Sequence, residues 1–208
     1  MINVVSEPVM PWEYDSLPEL AIRMFETIRQ FGGVGLAAPQ IGIFKQVVMA
    51  QLDDESVITL INPEITRLYG KEIDGLEACL SIPPAGNLCM VPRLEYVDLE
   101  AASLEFPDKK KPYTFRLMSA RIMQHEIDHL NGTFFIDRIP DRRRREVLTK
   151  FNDWKTARQA RAEENDVSRP RSIDSKPRNL SEVRNRFETQ NHQEQTRGDA
   201  SRVLMHQR

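Results

Sequence analysis

Gln124-His125-Glu126-Ile127-Asp128-His129 carries two histidines four residues apart, with a glutamate beside the first. At about 3.6 residues per turn and about 1.5 Å of rise per residue, a helix stacks His125 and His129 on one face, close enough to bind one ion. Glu126 leans to the side of that pair. There it reaches a water on a divalent metal without becoming a ligand, the arrangement expected for metal-assisted hydrolysis. Chance places H-E-x-x-H in a chain of 208 residues on the order of one time in a hundred. This chain sets two of its four histidines here. The bland alternative is a helix whose polar residues are merely satisfied.

A hydrolytic metal needs a third protein ligand and an open position. Cys79, in Gly75-Leu76-Glu77-Ala78-Cys79-Leu80-Ser81, is the best candidate, although a lone cysteine reads first as a small buried hydrophobe. Cys89 keeps that second reading, because its neighbours Leu88, Met90 and Val91 are apolar. Two cysteines cannot define a disulfide framework, and in a reducing compartment both are thiols.

The elements that must position these residues follow from periodicity. Ile122, Met123, Ile127 and Leu130 make the His-Glu-His segment apolar on several sides, as in a buried core helix, with Ser119 as N-cap and Asn131-Gly132 as the stop. Such a helix must satisfy its own polar side chains, and a metal does so for the two histidines. Near the start, Ser16 and Glu19 suggest a capping box before Leu17, Leu20, Ala21, Met24, Phe25 and Ile28, an amphipathic helix to about Gln30. Gly32 to Gln40 then forms a small-residue loop that lets backbone approach a ligand, without the ending of a phosphate loop or the spacing of a dinucleotide fingerprint.

Val47-Ala50 and Val57-Ile61 read as strands, the second ended by Asn62-Pro63. Val97, Leu99 and Ala101 alternate with polar residues, as do Tyr113, Phe115 and Leu117 across a Pro107 to Pro112 turn. These form an antiparallel meander that delivers the chain into the metal helix. The predicted fold class is α+β: antiparallel β-sheets packed around a central buried helix carrying H-E-x-x-H, with a C-terminal helix and a disordered tail. The C-terminal helix runs from Asp141 to Glu164, with Val147, Leu148, Phe151 and Trp154 on one side and Arg142 to Arg145 near its start. From Asn165 the chain is polar, and disorder is expected there with a transient helix near Leu180 to Phe187. The expected division is a catalytic domain over 1–140, a basic amphipathic helix over 141–164 and a basic tail over 165–208.

At 24.1 kDa and 40% hydrophobic content the chain can build one core plus an extension. Nothing resembles a signal peptide or membrane span, so a cytoplasmic enzyme is expected. The net charge of −2 hides an asymmetry. Residues 1–137 hold 11 Lys and Arg against 20 Asp and Glu, net −9, whereas residues 138–208 hold 18 against 11, net +7. A basic tail on an acidic body points to an anionic partner, nucleic acid first, or else to a solvated extension.

Three separate segments, Gly33 to Gln40, Glu77 to Ser81 and Gln124 to Gly132, resemble in sequence, order and separation the three motifs of peptide deformylases. The resemblance covers roughly residues 6–140. It implies that Cys79, His125 and His129 hold one divalent metal, with a water completing the site. Glu126 would take the proton from that metal-bound water as it attacks the formyl carbonyl, and pass it to the departing amine. The side-chain amide of Gln40 and the backbone N–H of Leu80 would stabilise the oxyanion. Gly35 would lie against the formyl group, and main chain near Val34 and Ala78 would pair with the substrate as an added strand. The implied substrate is the N-formyl-methionine end of a nascent polypeptide, and the products are formate and a free N-terminus. Fe(II) is the implied metal, with zinc, nickel or cobalt also compatible with thiolate and imidazole donors.

Two features depart from the family pattern. Alanine stands at position 78 where glycine is common, which costs about 1 kcal/mol if φ is positive and otherwise only narrows the cleft. The chain also begins late, which implies a looser sheet edge. A basic C-terminal region in this family implies docking on the ribosome through ribosomal RNA, here with Arg142 to Arg145 and the later arginines. A monomer is expected. Competing readings are a zinc peptidase of the H-E-x-x-H type, which leaves Gln40 and Cys79 without roles, and a non-enzymatic metal-stabilised RNA-binding scaffold, which requires a closed four-ligand site.

Overall fold

A computed structural model describes residues 4–82 and 88–166 of the chain. Its backbone is one five-stranded antiparallel sheet, β1 (Gly35–Ala37), β2 (Val47–Gln51), β3 (Val57–Glu77), β4 (Cys89–Ser103) and β5 (Lys111–Arg116), in the order β1-β2-β3-β4-β5. Helix α1 (Leu17–Phe31) precedes the sheet, while α2 (Leu117–Leu130) and α3 (Asp141–Asp166) follow it. The α+β class and the meander into α2 are as expected. A single sheet replaces the separate sheets expected, because β3 and β4 are long and bend through register shifts between Ile61 and Glu64, Ile65 and Arg67, and Tyr69 and Glu72.

Strand β2 shows how the layers form. Successive strand side chains point to opposite faces. Val47 and Met49 join Leu17, Leu20, Ala21, Met24 and Ile28 of α1 in one core, and Val48 and Ala50 join Ala120, Met123 and Ile127 of α2 in the other. The first four of the five β2 residues are buried, so the strand reads as a continuous apolar run rather than an alternation. A third core under α3 gathers Cys79, Ile82, Cys89, Val91, Phe134 to Ile136, Ile139 and Val147, with Leu148 and Phe151 packed against it.

Several local expectations are corrected. The Ser16 hydroxyl donates back to the Glu13 carbonyl (2.7 Å) instead of capping α1, because a 3-10 turn over Pro11–Ser16 runs directly into the helix. Ser119 does not cap α2; the helix begins at Leu117, and the Ser119 hydroxyl accepts the Asp53 N–H (3.1 Å). Asn62-Pro63 does not end its strand. Asn62 takes a left-handed φ of 49° at a bulge, and its side chain binds both the N–H (2.7 Å) and the carbonyl (2.9 Å) of Val9. The segment ahead of α1 is tied down through Ser6 N–H to the Leu130 carbonyl (2.7 Å) and Glu7 N–H to the Phe44 carbonyl (2.9 Å). Gly132, at φ 68°, follows the end of α2 as expected. The tail expectations, including the helix near Leu180 to Phe187, fall outside the described residues.

Candidate metal centre and cleft

Strand β5 passes into α2 through one left-handed residue, Leu117 at φ 51°. From Ser119 to Leu130 every α2 residue is buried. Its polar members recur as Arg121, Gln124, His125, Asp128 and His129, at i, i+3, i+4, i+7 and i+8, so a stripe that is usually apolar is polar here. Each of the non-histidine members meets a partner. Gln124 Nε2 donates to the carbonyls of Leu94 (2.8 Å) and Ala120 (3.1 Å). Arg121 donates to the carbonyls of Ile73 (2.6 Å) and Val91 (2.7 Å) and to Glu77 (2.8 Å). Asp128 accepts from Arg93 (2.6 Å) and is paired by Arg138.

The two histidines converge on Cys79. The ligand atoms of Cys79, His125 and His129 all lie within 4.8 Å of one another, all three residues are buried, and Cys79 Sγ is 3.1 Å from His129 Nε2. His125 Nδ1 lies 2.9 Å from Glu77 Oε2, which leaves Nε2 for an ion. Glu77 is itself gripped by Arg93 through two bonds, of 2.9 and 3.0 Å. Although burial alone raises a carboxyl, the His125 and Arg93 hydrogen bonds hold Glu77 down at about 2. Cys89 joins the apolar third core and is no part of this cluster.

Charge in this pocket favours a cation. Burial pulls both imidazoles toward the neutral form. On His125, hydrogen bonding toward Cys79 and Glu77 and the charge of Glu126 overcome it and carry the group to about 10. His129 follows burial and the repulsion of His125 and Arg93 down to about 3. Glu77, Glu126 and Cys79 thus favour positive charge on His125, while His129 stays neutral, the form in which an imidazole binds a metal. A divalent ion answers the same demand, so the donor set fits a metal.

Glu126 sits beside this cluster on the cleft. Its Oε2 is buried without a hydrogen-bond partner, and burial pushes its carboxyl up to about 7. Gly35 faces it, and a Cβ built there would lie 2.4 Å from Glu126 Oε1. Gln40, in the 3-10 turn after β1, accepts the Ala37 N–H on Oε1 (2.7 Å). That turns its Nε2 toward Cys79 Sγ (3.5 Å) and Ser81 Oγ (3.2 Å). Leu80, Val34, Gly35 and Ala78 all line the same cavity of about 1160 Å³. Val34 gives its carbonyl to Gln51 (2.7 Å), while β1 remains the edge of the sheet. Only Glu55, Asn62 and Leu117 have positive φ among the described non-glycine residues, so Ala78 is unstrained and its methyl simply occupies cleft space.

Glu77, Arg93, Arg121 and Arg138 are the residues that sequence reasoning missed. Arg93 gave a signal: it follows Val91 by two residues on one face of β4, and a buried arginine in a strand demands an acid. The Arg142 to Arg145 cluster turns out to be largely paired within the protein. Arg142 and Arg143 meet Glu146 (3.5 and 2.9 Å), and Arg144 meets Asp137 (2.8 Å).

A cysteine sulfur and two imidazoles beside a carboxyl group with an unpartnered oxygen, at the base of a cleft along the edge of the sheet, make the constellation of a metal-dependent amide hydrolase. The family model for polypeptide deformylase matches residues 1–145. A peptide deformylase of Thermomicrobium roseum is 40% identical over 149 residues, covering 68% of this chain and 77% of that protein. The crystal structure of a peptide deformylase from Legionella pneumophila superimposes with a TM-score of 0.66 at 32% identity, over 76% of this chain and 90% of that one. A Met-Ala-Ser-bound class I type b peptide deformylase from Acinetobacter baumannii gives a TM-score of 0.60 at 32% identity, over 66% and 91%. The chain belongs to the polypeptide deformylase family, whose reaction removes the N-formyl group from nascent polypeptides. The peptidase and scaffold readings are thereby set aside.

Proposed function

We propose that this chain deformylates N-formyl-methionyl peptides with Cys79, His125 and His129 holding one metal ion and Glu126 moving the proton. The observation that carries this reading is the buried, unpartnered oxygen of Glu126, a residue that lines the cleft beside three convergent ligand atoms. When bound, the metal supplies Lewis-acid polarisation of the formyl carbonyl and acidifies a water. Glu126, held near 7 by burial, accepts the water's proton and returns it to the leaving amine, since a base near neutrality serves both steps. Gln40 Nε2, aimed by the Ala37 bond, and the Leu80 N–H donate to the developing oxyanion.

Gly35, whose missing Cβ lets the Glu126 carboxylate sit close against β1, lies beside the formyl group. Main chain near Val34 and Ala78 receives the peptide as a strand added to β1, the sheet's edge. Glu77 orients His125, and Arg93 and Arg121 orient Glu77. We assign Fe(II), with zinc, nickel or cobalt as substitutes that the same donors accept.

Residues 1–140 form the catalytic unit in this reading, with 141–164 as the basic helix and 165–208 as the basic tail. The protein acts as a monomer in the cytoplasm, where its two unpaired cysteines stay reduced. Among the described residues no helix is long and apolar enough to cross a membrane. Ribosomal RNA contact falls to the exposed Arg145 and the arginines beyond Arg158, because Arg142 and Arg143 share Glu146 and Arg144 is paired with Asp137. The test is mass spectrometry of formyl-Met-Ala-Ser, N-acetyl-Met-Ala-Ser and an unformylated peptide after incubation with metal-loaded protein. Loss of the formyl group alone supports the reading, and backbone cleavage of the unformylated peptide refutes it.

A further inference from the structure

The cavity that holds Glu126, His125 and Cys79 is also lined by Phe151, Trp154, Lys155 and Arg158 of α3. Spacings of four, three and four residues put Val147, Phe151, Trp154 and Arg158 on one stripe of that helix. The stripe grades outward. Val147 is fully buried in the third core, Phe151 and Trp154 are half-buried and stacked at 6.4 Å, and Lys155 and Arg158 are exposed. Arg158 lies over the Trp154 ring at 5.1 Å.

Docking of Val147 and Phe151 therefore makes α3 a wall of the cleft, with an aromatic platform and two cations on it. Among the described residues neither Lys155 nor Arg158 joins an ion pair. The carboxylates in the same cavity are otherwise committed: Glu77 is paired with Arg93 and Arg121, and Glu126 faces Gly35 deep in the cleft.

We infer that Trp154, Lys155 and Arg158 form a specificity surface for the substrate residues beyond the second, favouring peptides with acidic side chains there. The inference rests on the deformylase reading of the site. A peptide is favoured as the occupant over RNA because these side chains share a continuous cavity with the residues that meet the formyl group. Trp154 supplies apolar contact to the peptide whatever its charge, while the two cations discriminate.

The test compares kcat/KM of the metal-loaded full chain for formyl-Met-Ala-Asp-Asp and formyl-Met-Ala-Lys-Lys, in wild type and in Lys155→Glu/Arg158→Glu. At low ionic strength the wild type should prefer the acidic peptide by about five-fold, the scale of two exposed charge pairs. That preference should fade with added salt and reverse in the double variant. Trp154→Ala should raise KM for both peptides several-fold without changing their ratio. Formate release from formyl-Met-Ala by the wild type reads the underlying chemistry. An acidic-to-basic ratio equal in wild type and double variant overturns the inference while leaving the deformylase reading intact. Failure on formyl-Met-Ala itself overturns both. An unchanged ratio with weakened RNA binding assigns the cations to nucleic acid and also overturns it.

Discussion

Replacing Gly35 with alanine tests whether the position of Glu126 limits the reaction. The added Cβ falls 2.4 Å from Glu126 Oε1, 3.0 Å from its Cδ and 2.9 Å from Ile122 Cγ2, whereas ordinary contact begins at 3.4 Å. Gly35 is not a left-handed residue, so the backbone accepts alanine and the side chains must give way. The carboxylate must retreat by about 1 Å, a displacement that costs on the order of a hundred-fold when it misplaces a reacting group. Crowding of the buried Glu126 and Ile122 side chains should cost about 1–3 kcal/mol in urea unfolding. We expect kcat for formate release to fall about a hundred-fold in a protein that stays folded with full metal content. In a Glu126→Ala background the same substitution should cost less than about three-fold, because its effect acts through the carboxylate. A Gly35→Ala protein with near-normal kcat would refute the reasoning. So would an undiminished loss in the Glu126→Ala background, or a loss that follows metal content.

Glu77→Gln keeps the shape but removes the charge that faces Arg93, Arg121 and His125. It should weaken metal binding about 10- to 100-fold in chelator competition and cost about 3–5 kcal/mol in urea unfolding. Cys79→Ser should empty the metal site by elemental analysis, whereas Cys89→Ser should keep its metal and lose about 1–3 kcal/mol from placing a hydroxyl in an apolar core. Gly75→Ala would bring a Cβ to 2.6 Å from Arg121 Cζ, and should cost about 1–3 kcal/mol in urea unfolding. Val147→Ala should cost about 2 kcal/mol and speed proteolytic cleavage within α3, since Val147 is that helix's buried anchor.

The chemistry was more legible in the sequence than the scaffold that aims it. His125, His129 and Glu126 are set by a local helical spacing, so their relation survives any error about the rest of the fold. Cys79 and Gln40 come from segments far away in the chain, and only the joint resemblance of three motifs tied them together. The Glu77–Arg93–Asp128–Arg138 chain was hidden, because its four members come from β3, β4, α2 and the turn beyond, and no local period links them. Asn62-Pro63 was misread as a strand end for a related reason. Its side-chain bonds to Val9, 53 residues away, make a bulge out of a pair that in isolation signals a stop. Apolar stripes fared better. Those of α1 and of the first half of α3 point into the cores that they predict.

Formate release from formyl-Met-Ala-Ser by protein loaded anaerobically with Fe(II), measured side by side for wild type and Glu126→Ala, is the most direct test of the mechanism. The account predicts sustained turnover by the wild type and a rate at least about a hundred-fold lower for Glu126→Ala with its metal still bound. Equal formate from the two proteins, or none from the wild type with any of the four metals, would contradict it.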